Sequence, residues 1–486
     1  MQLYERTALE LGQLLRTGEV TQQEAAETAL SRIRAAQPDN NAFITVAPPA
    51  PPSSGRSASP LAGVPMAYKD NICTRGTPTT CASRLLEGFV PCYDATVVER
   101  LSAAGAVSMG KLNMDEFAMG STSETSCRGP VKNPWDLTRS AGGSSGGPAA
   151  AVAAREIWYA IGSDTGGSIR QPAACCGVTG MKPTYGTVSR YGLIAYASSL
   201  DQLGPIARSA ADCAAVLDLI QGRDRRDATS LDVPAGGLLS SLTGDLRGKK
   251  IGLPADCFGE GLDPEVRTAV LAAAQVLKAR GAAVEEFALP SLQYAVPAYY
   301  IIACAEASSN LSRFDGVKYG WRAEDYEDLT DLYCKTRTQG FGTEVKRRIL
   351  LGTFVLSSGY YDAYYKKALQ VKAVIQKAFD EAFARYALLL TPVSPATAPR
   401  LGESLTDPLK MYLSDSYTVL ANLAGLPALS MPCGFDRGGL PIGAQLIGPA
   451  LGDLAVLDAA HAYQQETDWH RRHPDTPAAA KGGDAL

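Results

Sequence analysis

The segment GGSSGGPAAAVAAREIWYAIGSDTGGS, residues 142–168, decides the architecture because it places two glycine-serine loops at the ends of one helix-strand unit. The small residues after the first loop predict a helix, and the apolar run IWYAI predicts a strand. A helix carries the chain away from the first loop, and the following strand brings it back. The two loops are therefore expected to lie side by side, with Ser144 close to Ser168.

The same alternation of strand and helix recurs along the chain. Apolar strand patterns occur at 249–254, 282–290, 387–393 and 428–432, with a helical pattern from Asp263 to Arg280. This alternation predicts an α/β fold in which a large mixed β-sheet has helices on both faces. We expect a single domain over residues 1–473, with N-terminal helices, and a flexible tail at 474–486, which is rich in Pro, Ala and Gly.

Local signals define the expected N-terminal part. Residues 1–36 predict two helices, the second starting at a capping box formed by Thr21 and Glu24. Residues 47–60, rich in proline and serine, predict an exposed extended loop. A helix over 94–105 is expected to be capped by Asp94 and to end at Gly105.

Composition excludes several functional classes. The net charge is −4 without a basic stripe, so the chain alone is expected to bind nucleic acid weakly. No apolar run is long enough to cross a bilayer and no secretory signal is visible, which predicts a cytoplasmic protein without membrane contact. The eleven cysteines form no CxxC pair or metal-ligand cluster, which predicts free thiols and no metal site. Cys175 and Cys176 are interpreted as packing residues.

The second glycine loop suits an oxyanion hole. Glycine lets backbone N–H groups approach a ligand without an intervening side chain. The amides of Thr165, Gly166, Gly167 and Ser168 could stabilise a tetrahedral intermediate, at about 3 to 4 kcal/mol per donor. Taken alone, however, GGSSGG before a helix is more often a phosphate or anion site than a nucleophile loop.

A serine nucleophile needs a base, and the histidine count argues against the usual one. All three histidines lie at the C-terminal end, at 461, 470 and 473. Lys69, at the end of an expected strand, is the remaining candidate, provided that burial or a nearby cation lowers its pKa. Asp70, Asp115 and Glu116 are expected to be ordinary ion-pair partners.

Taken together, KDN at 69–71, GGSSGG at 142–147 and GSDTGGSIRQPAACCG at 162–177 resemble the amidase signature family. The resemblance implies a Ser-Ser-Lys triad in which Ser168 is the acylated nucleophile, Ser144 the bridging serine and Lys69 the base. Pro148 departs from the family pattern, but it falls in the first helical turn, where proline is tolerated.

Within this family, residues 110–121, 182–205 and 357–368 are similar to the A subunits of glutamyl-tRNA(Gln) and aspartyl-tRNA(Asn) amidotransferases. That similarity implies glutamine as substrate, hydrolysed through a seryl ester to supply ammonia. It also implies that Arg348 holds the α-carboxylate, Asp415 holds the α-amino group and Tyr299 forms a wall of the pocket.

The similarity further implies a heterotrimer with B and C subunits. No GxxxxGK[ST] phosphate loop is present, so this chain is expected to bind no cofactor, and the partner subunit is expected to use ATP and Mg and to hold the mischarged tRNA. Two alternatives remain open at this point: a stand-alone amidase acting on small amides, and a non-catalytic scaffold.

Overall fold

A long mixed β-sheet forms the centre of the computed structural model, which describes residues 2–47, 58–290 and 292–474. The strands of the described part are β1 (Phe43–Val46), β2 (Pro65–Lys69), β3 (Val107–Leu112), β4 (Lys132–Asn133), β5 (Asp136–Ser140), β6 (Tyr159–Asp164), β7 (Thr179–Lys182), β8 (Gln202–Ala207), β9 (Lys250–Pro254), β10 (Ala283–Phe287), β11 (Leu388–Pro392), β12 (Ala428–Phe435) and β13 (Pro441–Ile447).

Eleven of these strands form one sheet in the order β1-β3-β2-β6-β8-β7-β12-β13-β11-β9-β10, and β4 pairs with β5 separately. Strand β2 runs parallel to both β3 and β6, and β9 runs parallel to β10 and β11. The central pairs from β6 to β13 are antiparallel. The expected mixed sheet is thus confirmed.

Helices surround this sheet. They are α1 (Ala8–Thr17), α2 (Gln22–Asn40), α3 (Thr96–Ala103), α4 (Gly146–Ala153), α5 (Arg170–Cys176), α6 (Ala210–Ile220), α7 (Pro264–Ala279), α8 (Ala295–Asn310), α9 (Leu329–Gly340), α10 (Thr343–Leu356), α11 (Lys367–Phe383), α12 (Glu403–Thr406), α13 (Pro408–Ser414), α14 (Val419–Leu423) and α15 (Asp453–Glu466). None of the described helices is long and apolar enough to cross a membrane.

Two hydrophobic cores lie on opposite faces of the sheet. Successive residues of a strand point to opposite faces, and along β11 Leu388 and Leu390 belong to one core whereas Leu389 belongs to the other. The first core includes residues of α1, α2, α4, α6, α7 and α15, and the second includes residues of α8, α10, α11 and α14. Both faces are therefore covered, as the sequence predicts.

Several local predictions can be checked. The capping box is confirmed, since the amide of Glu24 donates to Thr21 and the Glu24 carboxylate accepts from the Thr21 amide. The cap at Asp94 is wrong: Ala95 is the N-cap of α3, because the Asp94 carboxylate accepts a hydrogen bond from the amide of Arg75 instead. Most of the expected loop at 47–60, and the expected tail from 475 onward, fall outside the described residues.

Candidate active site

The site forms where two neighbouring parallel strands end. Strands β2 and β6 are paired in register, with Tyr68 opposite Ile161, so their carboxyl ends meet at one edge of the sheet. Lys69 is the last residue of β2, and Asp164 is the last residue of β6. Helix α4 begins at Gly146, within the GGSSGG motif, and packs against β2 and β6. Sheet pairing and helix packing therefore bring the two serine loops to the lysine.

Lys69 lies in a tight polar cluster. Its Nζ is 2.8 Å from Ser144 Oγ, 2.9 Å from Ser163 Oγ and 3.3 Å from the Ser163 carbonyl oxygen. Asn71 Nδ2 also donates to Ser163 Oγ, at 2.9 Å. A neutral amine has two N–H donors and one lone pair. With both donors directed at Ser163, the lone pair faces the hydroxyl of Ser144.

The environment of Lys69 favours its neutral form. The side chain has no exposed surface, and this burial lowers the pKa from 10.5 to about 7 although Asp115 and Asp164 act in the opposite direction. Within the described residues no carboxylate lies within ion-pair distance of Nζ. The amine can therefore accept a proton near neutral pH, as a general base must.

The nucleophile loop is held by a buried ion pair. Both oxygens of Asp164 accept from Arg170, each at 3.0 Å, and the amide of Ile169 donates to Asp164 Oδ2 at 3.1 Å. Burial opposes ionisation of Asp164, but Arg170 outweighs it, and the net effect lowers the pKa to about 2. Asn422 donates to the same carboxylate. An ionised Asp164 thus fixes the backbone around Ser168.

The two serine loops are in direct backbone contact. The amide of Ser145 donates to the carbonyl oxygen of Ser168 at 3.1 Å. Ser144 is fully buried, whereas Ser168 retains 8% exposure. Of Lys69, Ser144 and Ser168, only the last can therefore meet a substrate, with the other two residues behind it.

The amides predicted to form an oxyanion hole lie in the turn after β6. Those of Thr165 and Gly166 make no hydrogen bond to any described residue, whereas the amide of Gly167 donates to Asp164 Oδ1 at 2.9 Å. A side chain at Gly166 would meet the Tyr299 ring, since an added Cβ would lie 2.5 Å from it. Glycine is therefore required where the loop approaches this aromatic wall.

The anion-site alternative does not fit the first glycine loop. The amide of Gly146 donates to Ser123 Oγ at 3.0 Å, the amide of Gly147 donates to the Asn113 carbonyl at 3.0 Å, and Pro148 has no N–H. The first turn of α4 therefore has no spare donors for a phosphate at these positions.

The histidines take no part in this cluster. All three line a separate cavity of about 490 Å³ that neither Ser144 nor Ser168 borders, and burial lowers the pKa of His470 to about 4. Nor do the cysteines take part: all eleven are free, and burial raises the pKa of Cys175 to about 12. No group of metal-ligating side chains occurs among the described residues.

The ion-pair expectation holds for one of three acidic residues. Asp70 pairs with Lys111 at 3.3 Å. Asp115 instead accepts from the amides of the 122–125 turn and from a hydroxyl, and Glu116 accepts from Ser83 Oγ and from the amide of Gly342. Both are buried where the backbone offers donors, so no cation is needed, and burial raises the pKa of Glu116 to about 7.

Arg348 occupies an aromatic cage on α10. Its guanidinium carbon lies 5.2 to 5.6 Å from the ring centroids of Tyr196, Tyr300 and Tyr412. Its Nε donates to Glu344 at 2.8 Å and its Nη1 to the Tyr196 hydroxyl at 2.7 Å, but Nη2 is buried without a hydrogen-bond partner among the described residues. An orphaned, buried guanidinium N–H fits an incoming carboxylate.

Asp415 faces the same cage. It accepts hydrogen bonds from Ser121 Oγ and from the Tyr300 hydroxyl, both at 2.8 Å. Burial raises its pKa to about 6, while those two hydroxyls and Arg348 act in the opposite direction. Tyr300 thus contacts both Arg348 and Asp415, so an anionic and a cationic group of one ligand can be bound a few ångströms apart.

This cage adjoins the nucleophile loop. Tyr299 stacks edge-on with Tyr300 and packs over Gly166. The hydroxyl of Thr418 donates to the carbonyl of Gly166 at 2.6 Å, and Thr418 also contacts the Asp415 carbonyl. Of the predicted binding residues, Tyr299 contacts the loop that carries Ser168, Asp415 is joined to that loop through Thr418, and Arg348 lies beside Tyr300.

Comparison with known proteins agrees with this geometry. A model of the Amidase family matches residues 24–457, which is most of the chain and includes both glycine loops, Lys69 and Arg348. The chain belongs to the amidase signature family.

Members of the family share the fold across different named activities. The chain is 56% identical to the A subunit of glutamyl-tRNA(Gln) amidotransferase from Agathobacter rectalis over 97% of this chain and 96% of that one. The crystal structure of the protein of the same name from Thermotoga maritima is 41% identical, covers 98% of both chains and has a TM-score of 0.84. A peptide amidase from Stenotrophomonas maltophilia is 30% identical, with 97% and 99% coverage and a TM-score of 0.80.

Some residues of this amidase site escape sequence reasoning. Ser163 and Asn71 contact the lysine cluster, and Ser121, Tyr196 and Tyr300 contact the cage. Ser163 lies inside the GSDTGGS motif, and Asn71 follows Lys69 by two positions, so motif proximity could have flagged both. The cage residues come from distant segments, and no local signal connects them with Arg348.

Proposed function

We propose that this chain is the glutamine-hydrolysing A subunit of a tRNA-dependent amidotransferase. The observation that carries the proposal is the pairing of two sites. A buried Lys69 with a pKa of about 7 lies 2.8 Å from Ser144. Next to it is a cage in which the Nη2 amino group of Arg348 has no hydrogen-bond partner among the described residues and Asp415 faces the guanidinium. Glutamine carries three matching groups: an α-carboxylate for Arg348, an α-ammonium for Asp415 and a side-chain amide for the serine-lysine cluster.

Acylation begins when Ser168 Oγ attacks the carbon of the side-chain amide. A C–O bond forms as the C=O electron pair moves to oxygen, and the amides of Thr165, Gly166 and Gly167 stabilise the oxyanion, the last while shared with Asp164. The proton of Ser168 passes to Ser144, whose own proton passes to the lone pair of Lys69.

Collapse of the tetrahedral intermediate breaks the C–N bond. The proton returns from Lys69 through Ser144 to the leaving nitrogen, which departs as ammonia and leaves a glutamyl ester on Ser168. In the second half of the reaction, water gives its proton to the same relay and hydrolyses the ester. Glutamate is released and the three residues regain their starting protonation states.

The ammonia is used elsewhere in the complex. The relatives are named as A subunits, which supports assembly with B and C subunits into a heterotrimer. The partner subunit binds mischarged tRNA and uses ATP and Mg to activate its aminoacyl group, so that ammonia converts Glu-tRNA(Gln), or Asp-tRNA(Asn), into the amidated form. This chain binds no cofactor itself, and its role in translation assigns it to the cytoplasm.

Intact-mass measurement tests the nucleophile directly. The complex is mixed briefly with glutamine, quenched in acid and compared with Ser168→Ala and with Ser31→Ala, which alters an exposed serine on α2. A glutamyl adduct that maps to residue 168 and is absent only from Ser168→Ala is expected. Ammonia release that survives Ser168→Ala would refute the proposal.

The acceptor dependence separates this function from that of a stand-alone amidase. Glutamine hydrolysis in the full complex is expected to rise when ATP and mischarged tRNA are added, because the ammonia is then used to amidate the activated aminoacyl group. A stand-alone amidase would hydrolyse small amides at the same rate with or without partners and tRNA.

A further inference from the structure

Asp201 lies opposite the nucleophile loop. Strands β6 and β8 are antiparallel, with Asp164 paired to Gln202, so the next residues outward, Thr165 and Asp201, face each other. The hydroxyl of Thr165 donates to Asp201 Oδ1 at 2.7 Å. Both residues are buried. Asp201 therefore holds the side chain of a residue whose amide lies in the expected oxyanion hole.

The same carboxylate fixes a second segment. The amide of Tyr196 donates to Asp201 Oδ2 at 2.9 Å, and the amide of Ala197 donates to the same oxygen at 3.1 Å. The Asp201 amide in turn donates to the carbonyl of Ala197 at 2.8 Å. These bonds close the turn 196–201 and set the position from which the Tyr196 side chain extends.

Tyr196 carries the connection to the substrate cage. Its hydroxyl accepts from Arg348 Nη1 at 2.7 Å, and its ring lies beside the guanidinium. Hydrogen bonds and one side chain therefore run without interruption from Thr165 through Asp201 and Tyr196 to Arg348. Among the described residues, only the side chain of Asp201 bonds both to the Ser168 loop and to the backbone of Tyr196, whose hydroxyl accepts from Arg348.

The burial of Asp201 argues for a specific role. No cation lies within ion-pair distance of it in the described part of the chain, and burial raises its pKa to about 6 while its hydrogen bonds act in the opposite direction. A buried carboxylate without an ion pair opposes folding, and buried groups of this kind concentrate at functional sites.

We propose that Asp201 is a positioning residue that couples the oxyanion loop to the arginine that binds the substrate carboxylate. The inference rests on the proposed function, since it assigns Arg348 to that carboxylate. Asp201 touches no reacting atom and acts through Thr165 on one side and through Tyr196 on the other. Its loss should therefore disturb both turnover and substrate binding, whereas loss of either contact should disturb only one.

Asp201→Asn breaks the coupling with almost no change in volume. The Thr165 hydroxyl and the amides of Tyr196 and Ala197 all donate to the carboxylate, so the new NH2 group must face an N–H or O–H donor. We expect kcat to fall by about 100-fold, the size of effect that a misplacement of about 1 Å can produce. We expect KM for glutamine to rise by about 10-fold, equivalent to one charge-assisted hydrogen bond.

Two variants isolate the two arms of the coupling. Thr165→Val removes the hydroxyl and should lower kcat with little change in KM. Tyr196→Phe removes the acceptor of Arg348 and should raise KM by about 10-fold, again equivalent to one charge-assisted hydrogen bond. Asp453→Asn is the matched control, because this buried carboxylate also accepts from a threonine hydroxyl and a backbone amide, those of Thr184.

Each variant is assayed as the assembled complex for ammonia release from glutamine and from glutamine α-amide, which lacks the charged carboxylate. The wild type and Thr165→Val should prefer glutamine strongly, while Asp201→Asn and Tyr196→Phe should lose most of that preference. Asp453→Asn should lower thermal stability and leave both the preference and kcat unchanged.

The inference would be overturned by wild-type kcat and KM in Asp201→Asn, or by a lowered kcat with unchanged KM and unchanged preference. If Asp453→Asn lost the preference to the same degree, a general loss of stability would explain the effect and the inference would also fail. Failure of the proposed function would be recognised by a different observation, because Ser168→Ala would then still release ammonia.

Discussion

The pH dependence of glutamine hydrolysis should report the ionisation of Lys69. A lysine with the ordinary pKa of 10.5 is neutral in about one molecule in a thousand at pH 7.5, whereas Lys69 with a pKa of about 7 is neutral in about three-quarters of molecules. The difference corresponds to about 5 kcal/mol against the charged form. Burial is the main cause of the lowered pKa, so the fold makes this lysine a usable base.

The expected profile follows from this pKa. The base works only when neutral, so activity is present above the pKa and lost as pH falls through it. The neutral fraction of Lys69 is about 0.91 at pH 8 and about 0.09 at pH 6, which predicts a drop of about tenfold in kcat between these values. Below pH 6 the logarithm of kcat should fall by about one for each pH unit.

A second ionisation should appear in kcat/KM. Asp415 has a pKa of about 6 in the free protein and must be charged to bind an ammonium group. Since kcat/KM reports the free enzyme and kcat the bound complex, kcat/KM should fall more steeply than kcat below pH 6. Ammonia release over pH 5.5 to 9, with stability checked at each pH, measures both.

Lys69→Arg is the decisive control for this reasoning. It keeps a cation at the position but remains protonated throughout the accessible pH range, so it should be inactive at every pH. A wild-type kcat that stayed flat from pH 6 to 8, or an active Lys69→Arg, would refute the assignment of Lys69 as the base.

Three further predictions concern the surrounding residues. Arg348→Gln should raise KM for glutamine by about 100-fold, because a charge-assisted contact to the carboxylate is lost. Arg348→Lys should give an intermediate KM, and an unchanged KM of Arg348→Gln in steady-state kinetics would contradict the prediction. Gly166→Ala should lower kcat/KM sharply, since the new Cβ would lie 2.5 Å from the Tyr299 ring, and a variant with full activity would show that the loop can yield. Cys175→Ala should keep wild-type turnover, because burial raises the pKa of that thiol to about 12; loss of ammonia release in a folded variant would give the thiol a role that its environment does not support.

Sequence patterns predict those features that are encoded within one segment. The two glycine loops at the ends of a helix-strand unit predict that Ser144 and Ser168 approach each other, and the end of an apolar run predicts that Lys69 closes a strand. The structure places all three together at the ends of β2 and β6. The spacing within 142–168 accounts for the approach of the two serine loops, and the pairing of β2 with β6 brings Lys69 to them.

Features that depend on long-range contacts could not be predicted in this way. Asp115 looks like an ion-pair partner until the chain returns at 122–125 and offers it backbone donors. Asp94 looks like a helix cap until the loop before it presents the amide of Arg75. The cage around Arg348 gathers tyrosines from separate segments, and only the folded chain shows that Tyr196 lies in it.

The placement of the two hydrophobic cores has an evolutionary consequence. Strand β2, which ends at Lys69, and helix α4 pack in one core, whereas Tyr299 of α8 and Val345 of α10 pack in the other. Because each core packs by itself, mutations that reshape the specificity helices can accumulate without repacking the layer behind the relay. A lineage with this architecture can change its substrate while inheriting its chemistry intact, and directed evolution of new amide hydrolases should begin with α8 and α10.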